Sequence, residues 1–252
     1  MDGLTPFKDH FSAAAPGYAR SRPSHPSELF EHLAALCARR ERCWDAATGN
    51  GQAASALALR FPMVIATDAS RRQIAEAPRH PRIHYAVARS EASGLAAQSV
   101  DLITVAQALH WFDLDAFYSE VRRVLRRGGI LAAWCYELHA IDERMDEVMR
   151  WFYHDVVGPF WPPERRFIED GYRTIPFPFT AIAAPAFVME ARWSFGEHLA
   201  YLGTWSAVRR HAAARGEDPV RRHERDLARA WGSPGEVKTV TWPLRLRIGT
   251  VG

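Results

Sequence analysis

The chain has 252 residues, 48% of them hydrophobic, which is enough to build one large α/β domain around a sizeable core. Its formal net charge is only +3 and no long Lys/Arg run occurs, so a nucleic-acid partner, which needs a concentrated basic face, is not expected. Cys37, Cys43 and Cys135 form no CxxC pair and no metal-like spacing with His, no apolar stretch is long enough for a membrane helix, and "MDGLTPFKDHF" is not a signal peptide, so a cytoplasmic protein with reduced thiols, no metal and no membrane partner is the expectation.

Residues 1–26 carry Pro6, Pro16, Gly17, Pro23 and Pro26 and read as an irregular arm. Leu29, Phe30, Leu33, Leu36 and Cys37 repeat with helical spacing over 27–40. Cys43-Trp44 opens a short strand ending near 45–47, followed by a glycine loop and a helix over about 52–60. "MVIATDAS" (63–70) is a buried strand with an acid at its C-terminal end, and "RRQIAEA" starts a helix cut by Pro78. "RIHYAVA" (82–88) is a third strand, "SVDLITVAQALHWF" (99–112) begins as a fourth, and Phe117, Val121, Val124 and Leu125 mark a helix that Gly128-Gly129 should stop. "ILAAWCYE" (130–137) is a fifth strand. This β-α alternation predicts a parallel sheet with helices on both faces. Beyond Glu137 the pattern changes: a helix over 141–157, a Pro- and aromatic-rich loop over 159–185, a strand in "AFVMEARWSF", helices over 196–215 and 219–231, and a long final strand in "VKTVTWPLRLRIGTV".

The chemistry concentrates in "WDAATGNGQAASALA" (44–58). Gly49-x-Gly51-x-x-Ala54 between a strand and a helix fits a nucleotide-type loop, in which glycines let the backbone turn tightly and approach a ligand. Asp68, at the end of the next strand, can accept hydrogen bonds from both hydroxyls of a ribose or cap the helix that follows. Neither feature separates NAD from S-adenosylmethionine. Asp45 precedes the glycines; an acid there repels a pyrophosphate, and it either caps the loop or helps hold the ammonium of a methionine moiety.

"DAATGNGQAA", "VIATDAS", "SVDLITVAQALHWFD" and "EVRRVLRRGGILAAW" come in the order and spacing of class I S-adenosylmethionine-dependent methyltransferases, type 11, and the combination resembles the trans-aconitate methyltransferase-like branch. "FSAAAPGYARSRPSHP" resembles that branch's N-terminal arm and "YLGTWSAVRRH" a later segment. The resemblance implies a Rossmann-like α/β fold with a seven-stranded, mostly parallel sheet whose last strand is antiparallel, helices on both faces, and a small helical cap. The divisions would be an arm or lid over 1–26, a cofactor-binding core over 27–137, a cap insertion over 138–185 and a C-terminal part over 186–252. It implies S-adenosyl-L-methionine as cofactor and S-adenosyl-L-homocysteine as product. Asp45, Gly49 and Gly51 would shape the methionine site, with Ala47 standing where many relatives have glycine. Asp68 would bind the ribose, Ala69 would lie beside the adenine, Ser90 and Glu91 would line the adenine edge, and Gln107 to Trp111 would floor the pocket. "ARSEASGL" lacks the Asp that many relatives place just before Ser90, and Arg89 stands there instead.

Other residues have two readings each. His110 is either a packed imidazole or a catalytic group that serves as base for a phenol or amine acceptor. Trp111 is core or offers its π face to a sulfonium. Tyr18 and Arg22 are surface of the arm or close over the pocket, with Arg22 pairing a carboxylate. Trp134, Tyr136, Trp161, Trp205 and Arg209 are substrate-side candidates, Asp101 reads as structural, and Arg122, Arg123, Arg126 and Arg127 as solvated helix charges. The function expected is methyl transfer to a small-molecule acceptor, a carboxylate or another O nucleophile, by a monomer or weak homodimer. The alternatives are an NAD-dependent oxidoreductase and a non-catalytic cofactor-binding protein of the same fold.

Overall fold

In the computed structural model, which describes residues 23–233 and 235–251, the apolar runs of the first half become parallel strands. These are β1 (Arg42–Ala46), β2 (Met63–Asp68), β3 (Ile83–Val87), β4 (Val100–Ala106) and β5 (Leu125–Tyr136), in spatial order β3-β2-β1-β4-β5. Helix α1 (Ser27–Leu36) precedes β1; α2 (Gln52–Leu57), α3 (Arg71–Ala75) and α4 (Leu114–Val124) connect the strands. The chain reverses its direction of travel across the sheet between β1 and β4, and a ligand crevice forms at the carboxyl ends of strands at such a point.

Strand alternation sorts the core into two layers. Cys43, Val64, Leu102, Ala132 and Trp134 share one face with Leu29, Phe30 and Leu33 of α1 and Leu57 of α2. Trp44, Ile103, Val105, Leu131 and Cys135 share the other with Phe117, Val121 and Val124 of α4. β4 is buried from Val100 to Val105, as a strand covered on both sides must be.

The second half builds α5 (Glu143–Trp151), α6 (Arg165–Glu169), β6 (Thr180–Ile182), β7 (Val188–Ser194), α7 (Phe195–Gly203), α8 (Ser206–Arg215), α9 (Pro219–Arg222), α10 (Glu224–Trp231) and β8 (Val237–Thr250). β8 runs antiparallel to β5 through residues 244–250 and takes β6 and β7 along its other edge, so seven strands form one continuous path and β7 is an eighth attached to β8. Met145 and Met149 of α5, Tyr201 and Leu202 of α7, and Leu227 and Trp231 of α10 extend the first core layer over the top of the sheet.

Several local expectations change: the helix expected over 219–231 divides at His223 into α9 and α10, and the loop expected over 159–185 contains α6 and β6. The first helix stops at Leu36, where Cys37 turns extended. Gly128-Gly129 does not stop a helix: α4 ends at Val124, and the pair lies in a bulge within β5, where four residues stand between the partners of Val100 and Leu102. A Cβ on Gly129 would sit 2.8 Å from the Arg126 carbonyl oxygen, so the bulge requires glycine there. The helix expected over 196–215 breaks at Thr204-Trp205, because Trp205 turns extended and packs its ring among Tyr153, Trp161 and Tyr201. Arg123 and Arg126 are not simply solvated: Arg123 grips Glu120, and Arg126 pairs with Asp101, whose other oxygen accepts the backbone N–H groups of Glu41 and Arg42. Asp101 thereby ties the starts of β1, β4 and β5.

At the opposite end of β1 a second carboxylate is buried. Asp45 is 1% exposed. Its Oδ2 accepts the Thr48 hydroxyl at 2.6 Å and its Oδ1 the Thr104 hydroxyl of β4 at 2.7 Å. Burial pushes its pKa from 3.8 up to about 6, partly offset by those hydrogen bonds and by the Ala54 backbone N–H. A folded-state pKa raised above the unfolded value means that ionising Asp45 costs stability as pH rises through this range. Buried His25, His110, His139 and His198 act oppositely: their lowered pKa values make the fold lose stability as pH falls. The Asp45 contribution therefore has to be read as a difference. Asn at position 45 keeps the size and the hydrogen-bonding capacity without the charge. The stability of Asp45→Asn relative to wild type should rise by about 2 kcal/mol between about pH 4.5 and 7.5, measured by urea unfolding. A gap that does not change with pH would show that Asp45 is ionised at no cost in the folded protein.

Candidate active site

The carboxyl ends of β1, β2, β4 and β5 open into a cavity of about 610 Å³, within the range of sites that enclose small molecules. Its floor begins with the loop after β1. Ala47, Gly49 and Gly51 all have positive φ, at 55°, 58° and 86°. Ala47 takes this conformation at a steric cost that glycine avoids, and the Thr48 N–H bond to the Thr67 carbonyl at 2.9 Å helps hold it. A Cβ on Gly51 would overlap the Tyr85 hydroxyl, so that position has to be glycine on two counts.

Asp68, at the end of β2, accepts the Gly49 N–H through Oδ2 at 2.9 Å and the Ser70 N–H through Oδ1 at 2.8 Å. It lines the cavity and steadies the glycine loop together. Ala69 follows it on the wall. Ser90 and Glu91 line the same side after β3; the Glu91 carboxylate accepts from Arg89 Nε and from the Asp113 backbone N–H. Gln107 closes the end of β4 in a left-handed conformation, φ 56°. Its side-chain amide accepts the Tyr136 N–H and donates to the Tyr136 carbonyl, while its own N–H reaches the Trp134 carbonyl. The strain at Gln107 is thus held by three hydrogen bonds that join β4 to β5.

His110 and Trp111 form a short 3-10 turn next to it, with ring centroids 4.6 Å apart. His110 Nδ1 lies 2.9 Å from the Tyr172 hydroxyl. Burial, and then the charge of Arg165, lower the His110 pKa to about 3. Burial alone lowers that of His25, also on the wall, to about 4. Both imidazoles are neutral at physiological pH.

The roof comes from the second half of the chain. Trp161, Pro162, Glu164, Arg165 and Ile168 descend from the segment before and within α6, and Tyr201, Thr204, Trp205, Ser206 and Arg209 from the α7–α8 break. Trp161 and Trp205 have centroids 5.5 Å apart.

The structure therefore brings Ala47, Gly49, Asp68, Ala69, Ser90, Glu91, Gln107, His110 and Trp111 to one cavity. Gly51 shapes the loop without lining it. Asp45 does not reach the wall: it lies beneath the loop with both oxygens engaged, so its loop-capping reading is the one this geometry carries, not contact with an ammonium. Tyr18 and Arg22 lie outside the described residues. Of the substrate-side candidates, Tyr136, Trp161, Trp205 and Arg209 line the cavity and Trp134 does not; it is packed edge-on to His25 and Phe30. Sequence reasoning missed His25, Gln73, Arg165 and Tyr201, none of which lies in a loop after a strand of the parallel sheet. Among the described residues no group of His, Cys, Asp and Glu could hold a metal, and no helix is long and apolar enough to cross a membrane.

A family model described as the methyltransferase domain matches residues 44–133, from β1 into β5. A Dictyostelium discoideum protein named "putative methyltransferase" is 32% identical over 231 residues, covering 90% of this chain and 88% of its own. A Mycobacterium tuberculosis protein named "uncharacterized methyltransferase" is 32% identical over 174 residues, 68% of this chain and 66% of its own. The solved structure of a "putative type II methyltransferase" from Anaeromyxobacter dehalogenans superposes with a TM-score of 0.86 at 45% identity, covering 91% of this chain and 97% of that one. The chain belongs to the class I S-adenosylmethionine-dependent methyltransferases.

Proposed function

We propose that the chain transfers the methyl group of S-adenosylmethionine to an oxygen of a small-molecule acceptor, a carboxylate or another O nucleophile. The observation that carries this is the cradle after β1: the turn over 47–51, left-handed at Ala47, Gly49 and Gly51, is closed on Asp68 and opens onto the cavity. Residues 47–51 bring backbone against the donor, which only a loop with small side chains permits. Asp68 accepts the ribose hydroxyls, Ala69 and Ser90–Glu91 border the adenine, and Gln107 and Trp111 form the floor beneath the reacting end.

The bound donor supplies an electrophilic methyl on a sulfonium. What the chain supplies is alignment and exclusion of water. Burial and the charge of Arg165 hold the His110 pKa at about 3, which makes it a weak base, and its imidazole presents a neutral hydrogen-bonding edge fixed by Tyr172. His25, held at about 4, is a weak base too. An acceptor that arrives already anionic needs no base, which favours a carboxylate oxygen. Trp111 offers its π face to the positive sulfur. The resemblance of Tyr201–His211 to the trans-aconitate-like branch belongs to this proposal.

Calorimetric titration should show heat with S-adenosylmethionine and S-adenosylhomocysteine and none with NAD; the reverse pattern would overturn the reading. Turnover of donor labelled on the methyl, with a mixture of metabolites as acceptors, separates an enzyme from a silent binding protein. Asp68→Ala should weaken product-cofactor binding by about 1.5–3 kcal/mol, roughly ten- to a hundredfold, with the circular dichroism of the wild type. A folded variant that binds like wild type would leave Asp68 as a helix and loop cap only.

A further inference from the structure

Arg165 stands apart from the other charges of the cavity. On the opposite wall, Arg89 is held by Glu91. Arg165 forms no salt bridge with any described residue. Its Nε donates to the Tyr153 hydroxyl at 2.5 Å, and that hydroxyl donates to Glu169 at 2.8 Å. Its guanidinium carbon lies 4.5 Å from the Trp161 ring centroid and 5.2 Å from that of Tyr153. The side chain is half-buried. Stacking and the Nε bond fix the plane of the guanidinium, while its two Nη groups have no partner among the described residues. A fork held this way is preorganised for two parallel bonds to a carboxylate, so little rotamer entropy is lost on binding.

The walls beside it are aromatic. Trp161 and Trp205 lie 5.5 Å apart and Tyr201 stands 5.8 Å from Trp205, all three on the cavity. The Trp161 and Trp205 planes are tilted by 46° and Tyr201 stands edge-on to Trp205, so the wall offers ring edges and faces that add to the contact with a π-bearing body and not to that with a saturated one. The fork and the aromatic wall come from two roof segments, the one that leads into α6 and the α7–α8 break, and neither belongs to the glycine loop or to β2, which carries Asp68.

We propose that Arg165 is the specificity-determining residue of this site and that it selects a planar aromatic carboxylate as acceptor. The proposal rests on reading the cavity as a methyl-transfer site. Arg165 holds the carboxylate through its Nη groups, and Trp161, Trp205 and Tyr201 hold the ring.

The test uses three probes on the full chain, with and without saturating S-adenosylhomocysteine: cinnamate, cinnamamide and cyclohexanecarboxylate, each titrated calorimetrically. Cinnamate should bind at least about tenfold more tightly than either of the other two, since the amide loses the charge-assisted pair and the saturated acid loses the ring contact. Arg165→Gln should abolish the preference for acid over amide while its product-cofactor affinity stays within about twofold of wild type; Arg165→Lys, which keeps the charge without the fork, should fall between. Equal binding of acid and amide by wild type, no advantage for the flat acid, no binding of cinnamate at millimolar concentration, or an intact preference in Arg165→Gln would each overturn the proposal. So would a tenfold loss of product-cofactor affinity in Arg165→Gln, because that assigns the guanidinium to the donor's own carboxylate. Wild type that fails to bind S-adenosylhomocysteine but keeps the acid preference would overturn the methyl-transfer reading and leave the role of Arg165 standing.

Discussion

The site depends on a buried carboxylate that touches no solvent. Asp45 joins three pieces of chain: β1, which carries it; β4, through Thr104; and the glycine loop, through Thr48. A charge taken out of water is expensive unless polar partners compensate it, and two hydroxyls with one backbone N–H compensate only in part, as the raised pKa shows. The return on this cost is position. Thr48, pinned from below by Asp45 and from the side by the Thr67 carbonyl, leaves the loop one course, with Ala47, Gly49 and Gly51 all left-handed. Asp68 then receives the Gly49 N–H from the cavity side. The two acids work from opposite sides of one turn, and their mutual repulsion is a further reason that Asp45 resists ionisation.

A second constraint of the same kind closes the other side of the floor. Gln107 adopts a left-handed conformation unfavourable to a non-glycine residue and saturates the backbone of Tyr136 with its side-chain amide. The β4–β5 edge is thereby sealed just where the strands end, and His110 and Trp111 leave it at a defined angle. Both devices place strain beside the ligand space and support it with hydrogen bonds from neighbouring strands, where the sheet is most rigid.

The parallel half of the fold was legible because its physics is local. Buried strands such as Leu102–Val105 are continuous apolar runs, the helices between them repeat at 3.6, and a ligand loop must be rich in glycine. Asp68 could be placed for the same reason. Which of its two roles Asp45 takes was not legible, because its partner Thr104 lies on another strand and nothing near Asp45 in the chain announces it. The strand bulge at Gly128-Gly129 looked like a helix stop because glycine serves both needs, and only the register against β4 tells them apart. The roof was the least legible part. Its segment 158–168 is short and has no period, and the α7–α8 helix breaks at Trp205 for a tertiary reason, the burial of one indole among Tyr153, Trp161 and Tyr201.

This unevenness follows from how the cavity divides its work. The floor is shaped by backbone conformation and one carboxylate, and such a requirement leaves a short, ordered signature in the chain. The roof lines the cavity with side chains projected from helices whose own stability comes from packing elsewhere, such as Met145 and Met149 against the first core layer or the Ser194–Glu197 capping box of α7. Residues there can change without disturbing the loop, because among the described residues no hydrogen bond that positions Gly49 or Gly51 comes from the roof. Proteins that share the floor can therefore bind the same donor and differ in what they methylate. Identity to relatives is then evidence about the donor before it is evidence about the acceptor, and the acceptor has to be argued from roof residues such as Arg165, Trp161 and Trp205.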